Sequence, residues 1–204
     1  MKLITSLIGA AALATLSLSA SAQAAKPDLV KGAAIFGQVC VACHAADGNS
    51  TTPENPKLAQ QHPEYLVKQL QEYKSGKRAN PIMSGFASAL SPEDMRNVSY
   101  WLASQKATPG FAKEKDLVAL GERIYRGGIA DRQIAACAGC HAPNGAGIPA
   151  QYPRLSGQHA DYTAGQLKAF RSGARNNNLQ MTHVAAYMSD REIAAVADYI
   201  AGLR

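Results

Sequence analysis

The chain carries one pattern twice, and this bounds its fold more tightly than any other feature. Cys40, Cys43 and His44 recur 97 residues later as Cys137, Cys140 and His141. At the same offset Pro56 matches Pro153, Leu58 matches Leu155, Gln61-His62 matches Gln158-His159, and Tyr65 matches Tyr162. Gln69-Leu70, Tyr73, Ser75-Gly76, Arg78 and Asn80 match Gln166-Leu167, Phe170, Ser172-Gly173, Arg175 and Asn177. One inserted residue then shifts the offset to 98, pairing Met83 with Met181, Ser91 with Ser189 and Trp101 with Tyr199. Upstream of the cysteines the offset is 89, so Gly32, Ile35 and Phe36 match Gly121, Ile124 and Tyr125, and the second copy holds eight extra residues within 126–136. The repeat unit of roughly 80–90 residues is a small domain. A chemical role that both copies need must fall on matched residues.

Each copy reads as helical, so the expected class is all-α. Ser91-Pro92-Glu93-Asp94 places a capping Ser before Pro, with an acid three residues on. Met95, Val98 and Leu102 then recur at helical spacing. Ser189-Asp190-Arg191-Glu192 opens the equivalent segment, followed by Ile193, Val196, Ala197 and Ile200. A middle helix starts near Pro63 with Leu66, Leu70 and Tyr73 on one face, and a short first helix runs into each cysteine pair. Residues 45–61 and 142–158 read as long irregular stretches. A domain this small cannot cover such loops with its own side chains, so a large apolar cofactor is expected to complete its core.

Cys40-Val41-Ala42-Cys43-His44 and Cys137-Ala138-Gly139-Cys140-His141 are both C-x-x-C-H, the attachment signal for c-type haem. The two thiols bond to the two haem vinyl groups, and the adjoining His sits beneath the iron as proximal ligand. A lone C-x-x-C would also suit a redox dithiol or half a zinc site. Neither use needs the His twice in register. The expectation is therefore two covalent haems, held by Cys40, Cys43, Cys137 and Cys140, with His44 and His141 on iron.

The sixth ligand is read from the repeat. Thioether sulfur suits the iron of electron-transfer cytochromes, but Met is also a common core filler. Met83 and Met181 match each other, whereas Met95 matches Ile193 and Met188 matches Leu90. Met83 and Met181 are therefore the expected axial ligands, placed in Asn/Pro/Gly-rich loops. His62 and His159 are the rivals. Each precedes a helix, where capping or a hydrogen bond is the plainer role. His183 matches Gly85 and is not expected to ligate. Pro56 and Pro153 are candidates for the carbonyl that receives the proximal ring N–H. Arg78 and Arg175 are candidates for the haem propionates, or else solvated surface charges.

The N-terminus reads as a secretory leader. Lys2 is followed by an apolar run from Leu3 to Leu18 and the small residues Ala20-Ser21-Ala22-Gln23-Ala24. The expected divisions are a cleaved leader at 1–24, a first haem domain at 25–105, a linker at 106–113 around Pro109-Gly110, and a second haem domain at 114–204. Basic residues outnumber acidic ones by 21 to 15, with the excess mainly in the second half. No block of like charge suggests nucleic acid as a partner.

These residues resemble the dihaem cytochrome c4 family. The likeness rests on the two C-x-x-C-H motifs and on Tyr152-Pro153-Arg154-Leu155-Ser156-Gly157-Gln158-His159. It is strengthened by Gln166-Leu167-Lys168-Ala169-Phe170-Arg171-Ser172-Gly173-Ala174-Arg175-Asn176 and by Tyr199-Ile200-Ala201-Gly202-Leu203. The first copy departs from it at Thr51-Thr52-Pro53-Glu54-Asn55, where the second has a Tyr-containing approach. The resemblance implies two class I cytochrome c folds about a pseudo-twofold axis, with His/Met iron in each. It implies a periplasmic electron carrier in a respiratory chain and not an enzyme. Its expected partners are a cytochrome bc-type complex or another donor, and a haem-copper terminal oxidase as acceptor. Loose membrane association, a monomer and a weak dimer are all compatible with the sequence. Two alternatives stay open at this point: an electron-transfer subunit of a dehydrogenase, such as a sulfide-oxidising flavocytochrome, and a dihaem peroxidase.

Overall fold

The computed structural model describes residues 26–204; the leader expected at 1–24 lies outside them. The first copy contains α1 (Leu29–Val39), α2 (Val41–His44), α3 (Pro63–Lys74), α4 (Pro81–Ser88) and α5 (Pro92–Ser104). The second repeats this order with α6 (Lys115–Gly127), α7 (Ala138–His141), α8 (Ala160–Ser172), α9 (Leu179–Ala186) and α10 (Asp190–Gly202). Among the described residues there is no strand, only the isolated bridges Ile129–Ile134 and Ile148–Tyr152.

Local chemistry sets the helix starts. Asp28 caps α1 by accepting from Val30 N and Lys31 N. Ser91 with Asp94, and Ser189 with Glu192, form complete capping boxes on α5 and α10. The apolar stripes behind those caps are buried, including Met95, Val98 and Leu102 in one copy and Ile193, Val196 and Ile200 in the other. The first and last helices of each copy cross at a glycine. A Cβ on Gly32 would collide with the Asn97 carbonyl, and one on Gly121 with the Ala195 carbonyl. Only Gly lets the two backbones come this close.

Three sequence expectations are corrected. The segments carrying Met83 and Met181 are short helices, not loops. Asn80 and Asn178 cap them by accepting from Met83 N (3.0 Å) and Met181 N (2.9 Å). Their Asn and Pro signals therefore mark helix starts. This capping also makes Asn178, not Asn177, the equivalent of Asn80, so the inserted residue lies before the cap. Finally, the first helix runs into the cysteine pair only in the first copy, where Cys40 N bonds to Phe36 O at 2.9 Å. In the second, α6 stops at Gly128 (φ 68°), and a 3-10 turn (Ala130–Arg132) intervenes before Cys137.

The copies dock through reciprocal polar contacts. Gln61 Nε2 donates to Arg154 O (2.9 Å) and its Oε1 accepts from Arg154 N (2.8 Å). Gln158 does the same to Lys57, at 2.9 Å in both directions. Reciprocity of this kind is the mark of a twofold relation, so the two domains face each other about a pseudo-twofold axis.

Candidate metal centres

Each C-x-x-C-H motif forms one helical turn, α2 or α7, with the first Cys at its N-cap and the His as its last residue. Spacings of three and four residues bring all three side chains to one side of the turn. His44 and His141 are buried, at 7% and 6% exposure. Their Nδ1 atoms donate to the carbonyls of Pro56 (3.0 Å) and Pro153 (2.9 Å), the acceptors suggested by the repeat. This fixes both rings and leaves each Nε2 with no hydrogen-bond partner among the described residues. Burial lowers both imidazole pKa values, keeping the rings neutral and able to donate a lone pair to a metal.

The chain turns sharply after each His. Ala45 and Ala142 both adopt positive φ, at 61° and 65°. Such a conformation costs a non-glycine residue about 1–3 kcal/mol and persists where the surroundings impose it. Ser50 Oγ donates to Cys43 O in the first copy, and Tyr125 OH to Ala142 O in the second. The same strained turn in both copies marks the two sites as built alike.

The first thiol of each pair is a poor nucleophile for dithiol exchange. Burial pushes Cys40 and Cys137 up to about 11, so little thiolate exists at neutral pH. Among the described residues no group of three or more His, Cys, Asp or Glu side chains is disposed to hold a metal ion, which disfavours a shared zinc site.

Met83 and Met181 are half-buried in the first turns of α4 and α9, while Met95 and Met188 are buried core residues. Met181 packs against the same apolar cluster as Cys137 and Ala138. The rings of His62 and His159 neither cap their helices nor turn inward. His62 Nε2 donates to Ala146 O (2.9 Å) and His159 Nε2 to Ser50 O (2.7 Å), each across the interface. His183 is exposed on α9.

Arg78 and Arg175 are not surface charges; they are buried at the interface, at 5% and 9% exposure. Arg78 donates to Gln69 of its own copy and to Tyr162 and Gln166 of the other. Arg175 mirrors it, donating to Gln166 and to Tyr65 and Gln69. Tyr73 and Phe170 lie beneath the two guanidinium groups at 4.6 and 4.4 Å. All side-chain partners of these cations are neutral, and a buried charge without a counter-ion is costly. The carboxylates of two haems would supply the missing anions. Thiols, neutral imidazoles and unpaired buried cations together fit two haems, whose propionates Arg78 and Arg175 would neutralise. Sequence reasoning did not foresee the interfacial roles of Gln61, Gln158, Tyr65 and Tyr162. Their signal was available, since each is a polar residue repeated in register.

The family model described as cytochrome c matches residues 29–106 and again 118–204. The chain is 45% identical to cytochrome c4 of Pseudomonas aeruginosa, over 94% of this chain and 96% of that one. It is 40% identical to a thiosulfate dehydrogenase electron acceptor of Stutzerimonas stutzeri, over 95% of this chain and 93% of that one. Reduced recombinant cytochrome c4 from Pseudomonas stutzeri superimposes with a TM-score of 0.84 at 42% identity, covering 88% of this chain and all of that one.

Proposed function

Because this chain belongs to the dihaem cytochrome c4 family, and so is an electron carrier with two covalently attached haems, we propose that it shuttles single electrons in the periplasm through two His/Met-ligated irons, toward a terminal oxidase. In this reading Cys40 and Cys43 hold the first haem, and Cys137 and Cys140 the second. His44 and Met83 ligate one iron; His141 and Met181 ligate the other. The leader at 1–24 directs export, and 106–113 links domains at 25–105 and 114–204. The observation that carries the ligation is the pair of buried histidines, each held through Nδ1 by a proline carbonyl with Nε2 left free.

Each bound haem supplies one-electron exchange between ferric and ferrous iron. The protein's part is to hold the site still. The proline carbonyls lock the proximal rings, and Asn80 and Asn178 anchor the first turns that carry the methionines. A site that changes little between oxidation states needs little reorganisation. Arg78 and Arg175, shared between the copies, would neutralise the propionates of both haems.

On the donor side, a dehydrogenase is the second reading. It is favoured by the 40% identity to a protein named as a thiosulfate dehydrogenase electron acceptor. Reduction of this cytochrome by such a dehydrogenase with thiosulfate would support it.

The deciding experiment is the near-infrared spectrum of the oxidised protein, followed by carbon monoxide addition after reduction. A methionine–ferric charge-transfer band accounting for two haems, without carbon monoxide binding, is the expected result. Ready binding at either haem would overturn closed His/Met ligation there.

A further inference from the structure

The two copies differ most at 127–136, and this segment reaches from the cysteine side of the second domain to its methionine helix. Ile129 and Ile134 pair as a small bridge. Ile134 is 2% exposed and joins the core cluster against which Cys137, Met181 and Val184 also pack. Arg132 extends from the turn between them. Its guanidinium donates to Glu192 Oε1 at 2.5 Å and to the backbone carbonyl of Tyr187, which ends α9. Glu192 Oε2 meanwhile serves the Ser189 capping box. One residue thus ties the end of the Met181 helix to the start of α10.

Both copies hold the residue after this point, Lys74 Nζ donating to Leu90 O (2.6 Å) and Arg171 to Met188 O (2.8 Å), but the first copy has no counterpart of Arg132 among the described residues. Lys31 of α1 pairs with Glu93 and Asp94 on α5. No side chain among the described residues donates to the carbonyl of Ala89, the equivalent of Tyr187. Ala87 of α4 is fully buried, as is its equivalent Ala185, but α4 has no counterpart of the Met181 and Val184 packing seen against the second core cluster.

We propose that residues 127–136 act as a strap, with Arg132 as a positioning residue that holds Met181 on its iron. The consequence is an ordered lability. An added ligand displaces Met83 readily and Met181 only with difficulty. Displacing either methionine requires its short helix to move away, and the cost of that local opening grows with the contacts that must break. In the second domain these include a charge-assisted hydrogen bond and the seal around Ile134. The first iron is therefore the one at which ligand entry starts, although the repeat makes the two sites look equivalent.

The inference rests on the His/Met reading, and the test separates the two. Imidazole is titrated into the oxidised holoprotein while the methionine–ferric charge-transfer band is followed. A Met181→His variant, whose remaining band belongs to the first domain, assigns the amplitudes. The expected result is loss of the band in two halves, the Met83 half at lower imidazole. In Arg132→Ala the Met181 half moves to about tenfold lower imidazole, the factor that about 1.4 kcal/mol represents, and the Met83 half stays. Glu192→Asp keeps a capping box of the first copy's type but shortens the reach to Arg132; it shifts the Met181 half in the same direction. A normal band that yields in one step, or an Arg132→Ala titration matching the parent, overturns the strap alone. A band missing from either iron of the parent overturns the ligation, and the strap with it.

Discussion

Replacing Gln61 or Gln158 with Ala tests whether the reciprocal interface holds the domains together. Each side chain makes three hydrogen bonds. Gln61 exchanges two with the Arg154 backbone, and its Oε1 also accepts from His62 N at 3.0 Å. Gln158 makes the same set with Lys57 and His159 N. A net neutral hydrogen bond contributes about 0.5–1.5 kcal/mol, and a buried backbone group left unpaired costs about 1–3 kcal/mol. Arg154 and Lys57 are only partly buried, so the lower values apply and water recovers some of the loss. Each substitution should therefore cost about 2–3 kcal/mol. Gln61 is 8% exposed and Gln158 is half-buried, so Gln61→Ala should cost at least as much as Gln158→Ala. Denaturant unfolding of the holoprotein, followed both in the haem bands and by far-UV circular dichroism, measures this. Partial uncoupling of the domains would broaden the transition, so the slope must be compared with the parent's. Effects below about 0.5 kcal/mol, the size of an ordinary surface change, would refute the claim that these pairs hold the interface.

Other tests follow from the same geometry. His62→Asn and His159→Asn should leave the methionine–iron band intact while loosening the interface; loss of the band in either would restore the bis-His alternative. Glu72 is the buried carboxylate of the interface, bonded by Lys68 (2.7 Å) and Asn177 (2.6 Å). Burial alone would raise its pKa, but these bonds hold it below the usual carboxylate value. Its contribution is thus complete above the unfolded pKa and is lost as pH falls through the depressed folded value. Glu72→Gln should flatten that acid limb of a stability–pH profile, and a profile identical to the parent's would contradict the assignment. Ser189→Ala should cost about 1 kcal/mol by thermal unfolding, the usual worth of an N-cap.

The candidate metal centres left a plainer signal in the sequence than the interface did, for a physical reason. Covalent attachment fixes Cys, Cys and His within five residues, and duplication separated Met83 from the core filler Met95. The capping boxes at Ser91 and Ser189 were equally plain, because the cap and its acid are local. An eight-residue helix offers too few apolar positions to show a period, so α4 and α9 read as loops. The interface joins residues such as Gln61 and Arg154 that lie 93 apart. No periodicity connects them, and a polar side chain at an interface looks like one at a surface. Burial of Arg78 and Arg175 was likewise invisible in one copy, and only their repetition hinted at it.

The departures from symmetry come in complementary pairs. Glu72 matches Ala169 in the second copy, and its partner Asn177 is supplied where that copy holds its extra residue. Asn177 occupies this place fully, accepting from Arg175 Nε at 3.0 Å and donating to Gln69 and Glu72. The second pair is Glu192 with the strap. In the first copy the capping acid is Asp94, whose Oδ1 meets Lys31 on α1. The longer Glu192 caps with one oxygen and reaches Arg132 with the other. Each inserted element thus meets a side chain that differs between the copies, Glu72 across the domain interface and Glu192 within the second domain. Changing one member alone leaves a buried polar group without its partner, so the pairs should be exchanged together. Glu72→Ala combined with Asn177→Ala should cost less than the sum of the two single substitutions, because the bond they share is lost only once. Simple additivity of the two changes would show that they do not interact.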